Sequence, residues 1–248
     1  MFLKFKTIDN IRDMGGVKTA DGRVLLYKRL LRSSDLHRLS SDELAILKSE
    51  YQLRVVIDFR STNSTVARKD RLDETIKYFH KYTLDFLEKN SYTRDIKVDP
   101  DEFFKGVYRS LALREEAIDA YAKFFRILID NDQGTILWHC TSGKDRTGIA
   151  AALLLWVLGC DMKTIYQEHF RTNEVTLPML ERKLQELRPD DNEAIKYYKA
   201  YYIAKKEYID EYFHAIIEHF NSVDDYIKKQ IKVSELEKSQ LRERFLSK

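Results

Sequence analysis

His139-Cys140-Thr141-Ser142-Gly143-Lys144-Asp145-Arg146-Thr147-Gly148 is a polar run between two apolar ones. Thr135-Ile136-Leu137-Trp138 precedes it, and a stretch of helix formers from Ile149 to Leu158 follows. A short apolar run, a glycine-bearing polar loop and a longer apolar run predict strand, tight loop and helix. A loop that feeds a helix N-terminus builds an anion site, because the first N–H groups lack helical partners and the dipole is positive there. A thiol at the mouth of such a site favours its thiolate form. A thiolate facing a phosphate cradle is equipped for covalent phosphoryl transfer.

The residues divide that chemistry among themselves. Cys140 is the candidate nucleophile. Arg146 offers a planar, permanently charged fork for two phosphate oxygens and for charge developing in the transition state. Asp145, the one carboxylate inside the loop, is the nearest candidate to protonate the leaving oxygen and later activate water. Gly143 allows a backbone angle that lets amides converge. Thr147 can hydrogen-bond the sulfur, Lys144 adds charge at the rim, and His139 fixes the loop entrance. The expected phosphate cradle is therefore His139, Thr141, Ser142, Gly143, Lys144 and Thr147. Singly, each residue has a plainer reading, a small buried thiol or a solvated charge; together, at this spacing, they favour the phosphate loop. A nucleotide-binding P-loop needs G-x-x-x-x-G-K-[ST]; here one glycine precedes the lysine and Asp145 follows it.

This run resembles the H-C-x5-R-[ST] signature of cysteine-dependent protein tyrosine phosphatases. The inner Gly-Lys-Asp-Arg-Thr-Gly is similar to the atypical bacterial and fungal branch, which includes dual-specificity enzymes. Asn10-Ile11-Arg12-Asp13-Met14-Gly15-Gly16 resembles that branch's N-x-R-D-x-G-G element. Leu31-Arg32-Ser33-Ser34-Asp35-Leu36 resembles its R-S-[SG]-x-L strand end, and Val55-Val56-Ile57-Asp58-Phe59-Arg60-Ser61 its I-D-L-R-[ST] strand. Order and spacing agree over about residues 7 to 175. One departure is that Thr62-Asn63-Ser64-Thr65 stands where the family commonly carries a glutamate. The chain also lacks Trp-Pro-Asp, the general-acid loop of many tyrosine phosphatases. The branch it resembles uses the aspartate inside the loop, which again indicates Asp145; Asp85, Asp99 and Asp101 are the alternatives. The resemblance implies phosphotyrosine as the lead substrate, with phosphoserine, phosphothreonine and phosphoinositides next, and neither metal nor cofactor.

Composition bounds the rest. The 248 residues suffice for one α/β domain with a helical extension. Lys and Arg number 43 against 40 Asp and Glu, a net +3 with no basic block, so nucleic acid is not an expected partner. Two cysteines make no disulfide framework. Cys160 stands a helix length from Cys140, at about 1.5 Å per residue too far to pair, and reads as a buried thiol. No run is long and apolar enough to span a membrane, and the charged N-terminus does not resemble a signal peptide. A cytoplasmic protein is expected, with secretion after leader removal left open.

Along the chain, strands are expected at Val24 to Leu31, Leu53 to Phe59 and Tyr78 to Leu84. Asp58 and Arg60, at the carboxyl end of the second, line or brace the phosphate site, since ligands gather at such ends in open α/β sheets. Asn90 to Pro100 reads as a loop or flap, and Glu115 to Ile129 as a helix. Helices are also expected from a capping serine near Ser41, from Asp161, from Thr176-Leu177-Pro178, and after Ser222 and Ser234. His169 reads as a surface residue. The stretch from Asp190 to Phe220 carries Tyr197, Tyr198, Tyr201, Tyr202, Tyr208 and Tyr212, several on one face. It is either a helix pair packed on the core or an aromatic lid, with 176–222 as a helical insertion in one domain of residues 1–248. The expected architecture is α/β: a cysteine-phosphatase-like central sheet flanked by helices, with a helical C-terminal extension. The expected activity is hydrolysis of phosphate monoesters through a thiophosphate intermediate. The competing readings are a phosphopeptide-binding module with weak turnover, an enzyme acting primarily on phosphoinositides, and a sulfur-transfer or arsenate-reducing enzyme.

Overall fold

Alternating side chains set the layers. Val55 and Ile57 of β3 (Leu53–Asp58), Ile136 and Trp138 of β5 (Thr135–His139) and Leu30 of β2 (Leu30–Ser33) join one buried cluster. Their neighbours Val56, Leu137 and Leu31 join another on the opposite face. This period of two, apolar at both phases, is the pattern of a strand covered on both sides. The computed structural model, which describes residues 1–84 and 98–248, shows a five-stranded sheet in the order β1-β2-β5-β3-β4. Here β1 is Arg12–Asp13 and β4 is Lys77–His80; β1 is antiparallel to β2 and the other pairings are parallel.

One face carries α1 (Ser41–Ser49), whose Leu47 packs with Leu31, Val56 and Leu137. The other carries α3 (Pro100–Leu113), α4 (Glu115–Asp130), α5 (Asp145–Leu158), α9 (Lys206–Phe220) and α11 (Glu235–Phe245). Between them in sequence lie α2 (Thr62–Ala67), α6 (Met162–Phe170), α7 (Asn173–Gln185), α8 (Asn192–Tyr202) and α10 (Val223–Lys229). Helix α5 is apolar on nearly every side and correspondingly buried; Gly159 ends it in the left-handed conformation at φ 86°. The predicted α/β class with helices on a central sheet is the observed one.

Several boundaries differ from expectation for local reasons. The strand expected over Val24 to Leu31 begins only at Leu30. Lys28 has φ 57°, and its N–H is held by the Asp13 carboxylate at 2.8 Å, so the preceding chain loops away. Phe79 pairs with Ile57, yet β4 stops at His80, short of the expected Leu84. Ser40 rather than Ser41 caps α1, its hydroxyl accepting from Glu43 N. The helix expected to start at Thr176 starts at Asn173, because the turn leaving α6 already supplies its first carbonyls, and Pro178 lies inside it. Asp161, Ser222 and Ser234 cap helices as expected. Residues 85–97, with Asp85 and most of the expected flap, lie outside the described residues, while Pro100 opens α3.

Cross-strand register then aligns the carboxyl ends. Ser33 pairs with His139, His139 with Asp58 and Asp58 with His80. Loops leaving this row face the start of α5, the place where a parallel sheet gathers its ligands.

Candidate active site

Strand β5 ends at His139, and residues 140–144 lead into α5. The first bond of that helix runs from Gly148 N to Lys144 O at 2.8 Å, so the amides of residues 145–147 precede the helical ladder. Gly143 takes φ 69°, and a Cβ there would run into the Ser33 carbonyl, so the position demands glycine twice over. Cys140 is buried to 1% exposure at the foot of this turn, while Thr141, Ser142 and Asp145 reach the surface.

The back of the loop rests on buried charge. Arg32 donates from Nη2 to Gly143 O at 2.8 Å and from Nη1 to Glu168 Oε1 at 3.2 Å. Asn10 donates to Ser142 O and Gly143 O at 3.2 and 3.1 Å. Arg12 binds Glu168 Oε1 at 3.0 Å, Thr172 Oγ1 at 3.2 Å and the Asn10 side-chain oxygen. Burial and the nearby Arg12 pull Arg32 down to about 9, with Glu168 opposing. Glu168 itself is held below the usual carboxylate range: burial resists its charge, and Arg12 and Arg32 outweigh that. The sequence motifs around Asn10, Arg12 and Arg32 are thus a scaffold for loop carbonyls, and Glu168, which sequence reasoning missed, ties them together.

Beneath the other flank lies a second charged group. Arg60 pairs with Asp58 at 2.7 Å and Asp70 at 2.8 Å, and His139 Nε2 lies 2.9 Å from Asp70 Oδ2. Tyr78 donates to Asp58 at 2.7 Å. His139, Asp58 and Arg60 are fully buried: of the two roles expected for Asp58 and Arg60, burial fits bracing rather than lining the site, and His139, expected in the phosphate cradle, is likewise held inside the sheet. Burial opposes charge on His139, but Asp58 and then Asp70 overcome it and push the imidazole up to about 9. Asp58, Asp70 and His139 are also the one set of metal-ligand types among the described residues; Arg60 and the charged His139 together already balance the two carboxylates there.

Arg146 is 6% exposed and is held by Phe59 O and Thr141 Oγ1, each at 3.3 Å. Thr147 Oγ1 is buried without a hydrogen-bond partner among the described residues. Asp145 Oδ1 accepts from Tyr108 Oη at 2.8 Å and lies 3.5 Å from Lys144 Nζ. Lys144, expected at the rim, is instead buried, 2% exposed. Its ammonium donates to the Ala200, Tyr201 and Ile203 carbonyls at the end of α8, over the Phe104 ring at 5.0 Å. His169, expected at the surface, is buried with Nε2 3.3 Å from Tyr108 Oη. Of the alternative acids, the two among the described residues are engaged elsewhere: Asp99 caps α3, and Asp101 binds Lys205 and Tyr208. Cys160 is buried as expected, and burial pushes its thiol up to about 12.

A cleft of about 310 Å³ opens beside the loop at Thr141 and Ser142. Arg38 and Arg68 lie on one side, paired to Asp9 and Asp35, and Met179, Tyr201 and Tyr202 of α7 and α8 on the other. Among the described residues no helix is long and apolar enough to cross a membrane.

The chain is similar to several known proteins. A Cupriavidus necator protein named "Putative tyrosine-protein phosphatase H16_A0669" is 30% identical over 99% of this chain and 88% of its own. The triple specificity protein phosphatase PtpB of Mycobacterium tuberculosis is 26% identical over 72% of this chain and 71% of its own. The crystal structure of P. aeruginosa TpbA aligns with 60% of this chain and 71% of its own at 19% identity, with a TM-score of 0.31. The sequence model of the tyrosine phosphatase family matches residues 3–247, and the chain belongs to that family as a protein-tyrosine phosphatase.

Proposed function

We propose that this phosphatase works through a thiophosphate intermediate on Cys140, with phosphotyrosine as its lead substrate. The observation that carries the reading is the seating of Cys140 between the end of β5 and the start of α5, with Arg146 pinned against the same turn. In the first step the sulfur attacks phosphorus in line as the bond to the ester oxygen breaks. Arg146 spans two equatorial oxygens, and the loop amides take the remaining charge. Asp145 gives its proton to the departing oxygen. In the second step water attacks phosphorus, Asp145 takes the water's proton, and the sulfur leaves with the Thr147 hydroxyl donating to it.

The cleft wall of Met179, Tyr201 and Tyr202 suits an aromatic group attached to the bound phosphate. Within 176–222 we assign the lid role to α7 and α8 alone, since Tyr208, Tyr212 and Phe213 of α9 are core residues. The phosphoinositide reading draws no support from Lys144, whose ammonium is spent on α8 carbonyls rather than offered to an additional phosphate. A relative named as a triple specificity phosphatase supports keeping phosphoserine and phosphothreonine as secondary substrates.

The test is phosphate release from phosphotyrosine, phosphoserine and phosphothreonine peptides and from inositol lipids, with EDTA present and Cys140→Ser as the control. The expected outcome is Cys140-dependent release, fastest from phosphotyrosine. Appreciable turnover by Cys140→Ser would end the covalent reading; faster turnover of the lipids would replace the lead substrate.

A further inference from the structure

We infer that Tyr108, backed by His169, is a positioning residue for Asp145, fixing Oδ1 and reserving Oδ2 for proton exchange with the leaving group and then with water. The inference rests on the proposed acid–base role of Asp145. Three groups from three helices meet, the half-buried Asp145 from α5 and the buried Tyr108 from α3 and His169 from α6. Tyr108 Oη is 2.8 Å from Asp145 Oδ1 and 3.3 Å from His169 Nε2. A phenol has one proton to give. Donating it to the carboxylate leaves its oxygen to accept from His169, so the imidazole carries its proton on Nε2. The other nitrogen, Nδ1, is buried with no hydrogen-bond partner among the described residues, as an unprotonated nitrogen tolerates better than an N–H would.

The surroundings keep those protonation states. Burial, then the charge of Asp145, pushes the Tyr108 phenol well up, so it remains a donor. Burial and the cations Arg32, Lys144 and Arg12 push His169 well down, so it remains neutral. Lys144 and Arg146 are the cationic neighbours of Asp145 in sequence, and the phenols of Tyr108, Tyr121, Tyr201 and Tyr208, from α3, α4, α8 and α9, interact with its charge. Among the described residues both close contacts of the carboxylate fall on Oδ1. The transferable proton therefore sits on Oδ2. As the sulfur–phosphorus bond forms and the ester P–O bond breaks, that proton passes to the departing oxygen. The carboxylate then takes a proton from the attacking water as the sulfur leaves, while the Tyr108 bond persists through both steps.

The experiment compares wild type, Tyr108→Phe and Asp145→Asn on two aryl phosphates, one whose phenol leaves without a proton and one that needs it, across pH. Tyr108→Phe keeps the ring packed against Tyr208 and removes only the hydroxyl. Expected for Tyr108→Phe is a loss of about tenfold in kcat on the poor leaving group and little on the good one. The alkaline limb of its pH profile moves to higher pH, because a carboxylate deprived of a donor holds its proton longer. His169→Leu should reproduce part of this effect and His169→Gln, which can still donate, should restore it. If Asp145→Asn shows the leaving-group dependence and Tyr108→Phe shows neither that nor a moved limb, the positioning role is wrong and the acid assignment stands. If Asp145→Asn shows no leaving-group dependence, the acid assignment fails and the positioning role fails with it.

Discussion

The Arg32 guanidinium and the carbonyl oxygen of Gly143 lie 2.8 Å apart, at the back of the loop that holds Cys140. Asn10 donates to that same oxygen and to Ser142 O. In a trans peptide the C=O and the following N–H point in opposite directions. Drawing these two carbonyls backward therefore turns the amides of Gly143 and Lys144 forward, into the cradle. Arg32→Met removes one donor and one of the cations on buried Glu168. Expected is a loss of roughly 3 kcal/mol in urea denaturation, as for a broken buried pair, and weaker competitive inhibition by inorganic phosphate. Unchanged phosphate affinity would mean that the amides are held by something else.

Gly143→Ala tests the same turn from the other side. The substitution meets a positive φ and the Ser33 carbonyl together, and backbone cannot swing aside as a long side chain can. A stability loss of about 2 kcal/mol or more is expected, with activity falling further than stability. A variant of wild-type melting temperature and full turnover would show that the loop tolerates a different path.

The loop itself was legible because its chemistry is local: strand, cysteine, glycine, arginine and helix follow one another in sequence. Asn10, Arg12 and Arg32 carried a resemblance but no visible role, since their acceptors Ser142, Gly143 and Glu168 lie more than a hundred residues away. Lys144 and His169 were misplaced for one reason. A lysine in a polar run and a histidine on a short helix look solvated until α8 and α3 are packed over them. Asp70 gave no sequence signal at all, yet it meets both Arg60 and His139.

That buried group makes stability depend on pH in a defined direction. His139 titrates at about 9 in the fold, above its ordinary value near 6.5. Its contribution is thus fully present below about pH 6.5, and it is lost as pH rises through about 9, on the order of 3 kcal/mol in all. Asp58, held low by His139 and Arg60 against its burial, has the opposite sign and loses its contribution only in acid. Urea midpoints should fall between pH 6.5 and 9.5, and Asp70→Asn should flatten that fall by removing one of the carboxylates that keep His139 charged. A midpoint constant over this range would mean that His139 is neutral in the fold.

Lys144 gives the last prediction. Its ammonium satisfies carbonyls at the C-terminus of α8, where a helix leaves its final acceptors unpaired and the dipole favours a cation. Burial pulls its pKa down, so the site tolerates the charge because those carbonyls and Asp145 answer it. Lys144→Met keeps most of the stem against Phe104 and deletes the donors. Bonds of this kind contribute roughly 1.5–3 kcal/mol, so local opening of α8 should become about tenfold more frequent or greater. Amide exchange across residues 192–203 reports this directly and should accelerate there while α4 and α5 keep their protection. If exchange in α8 is unchanged while turnover of bis-phosphorylated lipids collapses, the lysine serves the substrate instead, and the wall of Tyr201 and Tyr202 stands without it.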